Sequence, residues 1–349
     1  MRWNRTVTVI GAHAEGEVGR VVTGGVLNIP GNSTLEKLEY LQANDDLRRF
    51  VNREPRGCAQ MTTNLLLPAS DASADAAFIP MQADGSHAMS GSNAMCVTTV
   101  LLETGMIPMK EPETTVILDT AAGLVTAKAS CRDGRVERVT LDFFPAYAEL
   151  LDAKLEVEGI GTISVDVAFG GVFYVMPNVD QLGFQIGPDV AQDMVRLGND
   201  IKKAAQEQFK VQHPEVEQFN SIEFLMFTGR EKPAAKIFQN ATIMPPGRVD
   251  RSPCGTGSAA RMAAMFAKGE ISVGETLDMR STINSSFLTS VIGVTTVGGR
   301  KAILPQISGR AWIYGTMQLG SDPTDPYQLG YTMADTWGTG IEHEIPGLN

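Results

Sequence analysis

The 349-residue chain is short of several things. It has no apolar run long enough to cross a bilayer as a helix, so a helical membrane protein is excluded. Met1-Arg2-Trp3-Asn4-Arg5 lacks the pattern of a secretory leader, so the cytoplasm is the expected location. Basic residues are in deficit, 29 Lys and Arg against 40 Asp and Glu, for a net charge of −11. Such a balance argues against nucleic acid or an anionic membrane as a partner. Cysteine is scarce too. Cys58, Cys96, Cys131 and Cys254 show none of the close spacing of a zinc site, so no metal is expected and the thiols read as reduced.

What is present is an ordinary globular composition, 43% hydrophobic and 20% charged, in a chain long enough for two cores. The stretch with most chemistry is Asp250-Arg251-Ser252-Pro253-Cys254-Gly255-Thr256-Gly257-Ser258. Pro253 keeps a helix from starting earlier, and Gly255 and Gly257 permit a tight turn. Thr256 and Ser258 are good caps for a helix expected from Ala259 to Lys268 and closed by Gly269. Its free N–H groups and dipole favour a carboxylate, and the same field is expected to depress the Cys254 pKa and make the thiolate a base. Cys58, Cys96 and Cys131 have no such setting and read as inert apolar residues.

The arrangement occurs twice. Met89-Ser90-Gly91-Ser92-Asn93-Ala94-Met95-Cys96 aligns with Pro253-Cys254-Gly255-Thr256-Gly257-Ser258-Ala259-Ala260. Gly105 follows Ser90 by the interval at which Gly269 follows Cys254, and Ile107 and Ile271 each come two positions later. A duplication is implied, with two helix N-termini able to serve one site. The copies differ at the decisive atom, a hydroxyl in Ser90 and a thiol in Cys254. Ser92 and Asn93 read as caps of the first helix, expected from Asn93 to Thr104, and His87 as a loop residue.

Between these motifs the chain is rich in short strands, with a helix expected over 34–52 and an amphipathic one over 187–208. Both motif helices are apolar almost all round, as a helix wrapped by strands would be. Phe169-Gly170-Gly171-Val172-Phe173-Tyr174 reads as a strand whose glycines admit a close neighbour, here a ligand. The expected first domain covers 1–152 plus about 321–349 and carries the Ser90 motif; the second covers 153–320 and carries the Cys254 motif.

The Asp250–Gly257 segment closely resembles the second catalytic motif of the proline racemase superfamily. His13 through Glu17, Arg20 through Gly25, Glu54-Pro55-Arg56-Gly57, Gly170 through Tyr174 and Asp322 through Pro326 fit the same resemblance, with Ala14 departing from it. The resemblance implies an α+β fold like that of diaminopimelate epimerase: two similar domains, each a strand-rich barrel around a central helix. It implies a cofactor-free reaction on a small imino acid, with Cys254 and Ser90 as catalytic residues. Gly91, Ser92, Gly255 and Thr256 would bind the substrate carboxylate, and Asp250 the ring ammonium. A homodimer is left open. Where the family has Cys-Gly-His, this chain has Ser90-Gly91-Ser92, so a thiol and an imidazole are missing. A hydroxyl is a poor base, which favours one-base chemistry. The expected reaction is therefore dehydration of trans-3-hydroxy-L-proline to Δ1-pyrroline-2-carboxylate. The alternatives are a 4-hydroxyproline 2-epimerase, a racemase-like isomerase of another small acid, and a binding protein without activity.

Overall fold

Alternating burial is the commonest pattern along the chain, and the computed structural model, which describes residues 3–338 and residue 345, realises it as strands. The chain divides into two compact units, one made of residues up to 141 and those from 309 onward, the other of residues 142–308. These divisions fall earlier in the chain than the boundaries expected at 152 and 320.

The first unit begins with β1 (Arg5–Ala14) and β2 (Glu17–Gly24), then α1 (Thr34–Ala43) and α2 (Asp46–Asn52). It continues with β3 (Met61–Leu67), β4 (Ala76–Met81), α3 (Gly91–Glu103), β5 (Glu113–Thr120), β6 (Gly123–Arg132) and β7 (Arg135–Asp142). The helix expected over 34–52 is broken. Asn44 leaves the helical region (φ −129°, ψ 76°), and both its backbone N–H and its side-chain amide donate to the Tyr40 carbonyl. Asparagine often competes locally in this way with the helix ladder.

The second unit holds β8 (Tyr147–Val157), β9 (Gly161–Phe169), β10 (Phe173–Pro177), α4 (Ala191–Gln208), β11 (Ile222–Lys232) and β12 (Ile237–Met244). The two-residue β13 (Arg248–Val249), α5 (Gly255–Ala267), β14 (Thr276–Arg280), β15 (Ser286–Val297) and β16 (Arg300–Gly309) follow. The chain then returns to the first unit as β17 (Ala311–Ser321) and the short α6 (Ala334–Trp337).

Strand pairing shows the repeat more clearly than the sequence does. In the first unit the order is β17-β1-β2-β3-β4-β5-β6-β7, with β2–β3 and β4–β5 parallel and the other neighbours antiparallel. In the second it is β8-β9-β10-β11-β12-β14-β15-β16, with β10–β11 and β12–β14 parallel and the rest antiparallel. The two patterns are identical, position for position. Ala146 and Ile303 exchange both backbone hydrogen bonds, bringing the start of β8 against β16 and helping to close the second barrel.

Each barrel is wound on one helix. Residues Gly91–Leu102 of α3 are all buried, as are nine consecutive residues of α5 from Gly257 to Met265. A helix can be apolar on every side only when something covers every side. Both end alike, with Gly105 (φ 73°) and Gly269 (φ 75°) in the left-handed region that glycine enters without a Cβ clash. α4 packs from outside, burying Met194, Gly198, Ile201 and Ala205. Among the described residues no helix is long and apolar enough to cross a membrane, and no group of three or more His, Cys, Asp or Glu is placed to hold a metal ion.

Candidate active site

Both motif helices start earlier than their sequences suggest. α5 runs from Gly255, and its N-cap is Cys254, with neither Thr256 nor Ser258 capping. The thiol itself serves as the cap acceptor: Gly257 N–H donates to Sγ at 3.4 Å. The Cys254 backbone (φ 65°, ψ 116°) is one that residues other than glycine seldom adopt, and the turn before it holds it there. Asp250 Oδ1 accepts from the Ser252 N–H (2.8 Å) and hydroxyl (2.9 Å), and Ser252 Oγ accepts from Cys254 N–H (3.1 Å). From beneath, Asn240 Nδ2 donates to the Pro253 carbonyl and to Ser258 Oγ, both at 3.1 Å.

The environment of the sulfur is hydroxyl-rich and apolar. Tyr174 Oη lies 3.5 Å from Sγ and 2.6 Å from Thr256 Oγ1, and Thr256 Oγ1 lies 3.9 Å from Sγ. Burial first, and the negative charge of Asp250 second, push the thiol up to about 11. Tyr174, Thr242 and the Gly257 N–H pull the other way without prevailing. The expected depression is thus reversed: the helix terminus is present, but dehydration of the thiolate and a neighbouring carboxylate outweigh it. Cys254 rests as a thiol.

In the α5 first turn the Gly257 N–H is taken by sulfur and that of Ser258 by the Cys254 carbonyl (2.9 Å). The Gly255 and Thr256 N–H groups have no intrahelical acceptor, and they are the pair expected to hold a carboxylate. Gly170 sits against this turn. A Cβ there would lie 2.2 Å from the Thr256 carbonyl oxygen and 2.6 Å from Ala260 N. The close neighbour expected at the Gly-Gly break is therefore the start of α5, and no ligand is needed to explain it.

In the first unit Ser90 is the N-cap of α3, extended (φ −150°, ψ 129°), and its side chain makes no capping bond. Ser90 Oγ instead accepts from Asn93 Nδ2 at 2.8 Å and lies 3.4 Å from Ser92 Oγ. Gly91 and Ser92 form the first turn, again with N–H groups that have no intrahelical acceptor. His87 is half-exposed and pairs with Asp84 in the loop before the helix. His13 accepts from Gly16 N–H and stacks on Trp312.

Of the expected residues, Cys254, Gly255, Thr256 and Asp250 lie together in the second unit, and Ser90, Gly91 and Ser92 together in the first. Sequence reading gave no role at the thiol to Tyr174, on β10, or to Thr242, on β12. It also treated Asn93 as a helix cap only. A cavity of about 210 Å³ in the second unit, lined by Asp166, Asn178, Arg261, Met265 and Lys268 among others, is at the far end of α5 from Cys254 and contains none of these groups.

Residues 9–332 match the proline racemase family. The chain belongs to that family. Within it, the chain is 45% identical to the 4-hydroxyproline 2-epimerase of Allorhizobium ampelinum, over 98% of this chain and 99% of that one. It is 43% identical to the enzyme of the same name from Agrobacterium fabrum, over 97% and 98%. The crystal structure of a hydroxyproline epimerase from Agrobacterium vitis, with bound trans-4-hydroxy-L-proline, superposes with a TM-score of 0.89 at 45% identity, covering 97% of this chain and 99% of that one. A phenazine biosynthesis protein of the PhzF family from Bacillus anthracis shares the fold alone, with a TM-score of 0.56 at 13% identity over 90% of this chain and 99% of that one. These relatives overturn the expected dehydration of trans-3-hydroxy-L-proline. The relatives that match along nearly the whole chain are named for epimerisation of 4-hydroxyproline. The expectation treated Ser90 as a bare hydroxyl, whereas its oxygen already receives a hydrogen bond.

Proposed function

We propose that this enzyme inverts C2 of 4-hydroxyproline, interconverting trans-4-hydroxy-L-proline and cis-4-hydroxy-D-proline. The observation that carries the reading is the identity of 43–45%, with almost no unmatched chain at either side, to proteins named for that reaction.

Inversion needs one proton-transfer group for each face of the α-carbon. Cys254 is assigned to one and Ser90 to the other. The negative charge that develops as the α-proton leaves spreads into the carboxylate, where fixed N–H donors stabilise it; Gly91, Ser92, Gly255 and Thr256 are assigned to that role. Asp250 is assigned to the ring ammonium. This assignment gives the elevated Cys254 pKa a use. Burial is the first cause of that elevation and Asp250 the second; an ammonium arriving beside Asp250 offsets the second and so shifts the balance toward thiolate when substrate is bound. Both steps are proton transfers.

The test is incubation with trans-4-hydroxy-L-proline in deuterated water. The expected product is cis-4-hydroxy-D-proline carrying deuterium at C2, with Cys254→Ser slower by about 10²-fold or more. Recovery of unchanged, undeuterated substrate would remove the proposal.

A further inference from the structure

Ser90 is the weaker partner of the proposed pair, and Ser92, where the family resemblance implies a histidine, adds only a second hydroxyl. The first unit holds a buried relay aimed at its oxygen. The Arg20 carbonyl can only accept, and Asn64 Nδ2 lies 3.1 Å from it. The same nitrogen lies 2.8 Å from Asn93 Oδ1, so its two hydrogens are committed. Asn93 must then turn its own amide nitrogen to Ser90, and Nδ2 donates to Oγ at 2.8 Å. Asn64 and Asn93 are 0% and 2% exposed. The orientation leaves Asn64 Oδ1 buried without a partner, and the reverse one would set that oxygen against the Arg20 carbonyl. Gly19 makes room for it: a Cβ there would come within 2.6 Å of Asn93 Oδ1. The second unit has a counterpart at the same place in the repeat, three residues after the key atom, where the Gly257 N–H donates to Cys254 Sγ.

We infer that Asn93, oriented through Asn64 by the Arg20 carbonyl, is the positioning residue that makes Ser90 competent as the second proton-transfer group. Asn93 fills an acceptor position on Oγ and leaves the Ser90 O–H, which has Ser92 Oγ 3.4 Å away, as the proton that the residue can give. When it protonates the α-carbon, the O–H bond breaks and a C–H bond forms. The electron pair stays on an oxygen that keeps the Asn93 hydrogen bond, and the hydroxyl is restored by a proton from water as Cys254 releases to water the proton it took from the other face. In the reverse sense the same oxygen takes the α-proton. The inference rests on the epimerase reading, in that Ser90 must handle a proton.

Two measurements test it. In the Ser90→Cys protein, iodoacetamide labelling at position 90, read by peptide mass mapping at pH 8, is expected to slow about tenfold when Asn93→Leu is added, because a donor to the thiolate is lost. Equal rates would overturn the inference, and this arm needs no substrate. In the enzyme with Ser90 intact, Asn93→Leu is expected to reduce epimerisation about 10²-fold. Deuterium exchange at C2 should persist for the epimer that Cys254 deprotonates and collapse for the other. Parallel loss of exchange from both epimers would mean a merely structural role and would also overturn it. Asn93→Asp keeps the size and the bond from Asn64 but cannot donate to Ser90, so it gives the same split where Asn93→Leu does not fold. A wild type that epimerises nothing, while Ser90→Cys still loses labelling when Asn93→Leu is added, would sink the functional reading and leave the Asn93 arm standing.

Discussion

Gly170→Ala should damage the enzyme through a helix it does not belong to. The added methyl would sit 2.2 Å from the Thr256 carbonyl oxygen and 2.6 Å from Ala260 N, both backbone atoms with no rotamer to escape into. Ordinary contact requires a retreat of roughly 1 Å. Either the β9–β10 turn or the start of α5 must move, and Cys254 caps the latter. Overpacking of this kind costs about 1–3 kcal/mol. At about 2–4 °C per kcal/mol for a unit of this size, the melting temperature should fall by several degrees. A shift of about 1 Å in a proton-transfer group is enough to cost about 10²-fold in rate. The assays are thermal unfolding followed by circular dichroism and epimerisation of 4-hydroxyproline, with Gly85→Ala as the control, since a Cβ at Gly85 meets nothing within 4 Å. A Gly170→Ala protein that melts with the wild type and retains its kcat/KM would refute the argument that this turn braces α5.

Three further outcomes follow from the geometry. Iodoacetamide labelling of Cys254 should rise about tenfold per pH unit from pH 7 to 10 and level off only near 11, because the thiol is held up to about 11 and only the thiolate reacts; a plateau by pH 8 would contradict this. Tyr174→Phe removes a hydroxyl that favours the thiolate, so the titration should move higher still and labelling at pH 9 should slow about tenfold, where an unchanged rate would show that the 3.5 Å approach carries no hydrogen bond. Arg20→Met should destabilise the first unit by about 3 kcal/mol or more, because the Val51 and Arg56 carbonyls and Thr63 Oγ1 would lose a buried donor; an unaltered denaturation midpoint would count against that network.

The repeat was legible because glycine leaves a clear mark. Gly105 and Gly269 end their helices in a conformation that side chains resist, and their spacing from Ser90 and Cys254 survives wide divergence elsewhere. The buried character of α3 and α5 was equally plain from their apolar composition. What could not be read was the balance of forces on the thiol. A helix N-terminus is visible in a sequence. The depth of burial, the placement of Asp250 and the hydroxyl of Tyr174, which arrives from a different strand, are not. The same limit hid Asn93, because a residue three positions into a helix motif looks like a cap until its partner Asn64 is seen.

The strand that opens the eight-strand order of the second unit, β8, comes first in its own segment, whereas its counterpart in the first unit, β17, is made after every other strand. On a ribosome, then, β1 would emerge with a partner missing on one side. At about 5–20 residues per second the intervening residues 142–308 take roughly 10–30 s to synthesise. For that time β1 is a bare edge bearing Val7 and Val9, the kind of edge that invites pairing with a stranger. The second unit, contiguous in the chain, can close while the first waits. Nascent chains stalled near residue 308 should accordingly lean on chaperones, and the same register of β1 with β17 that completes the native barrel is the step that frees them.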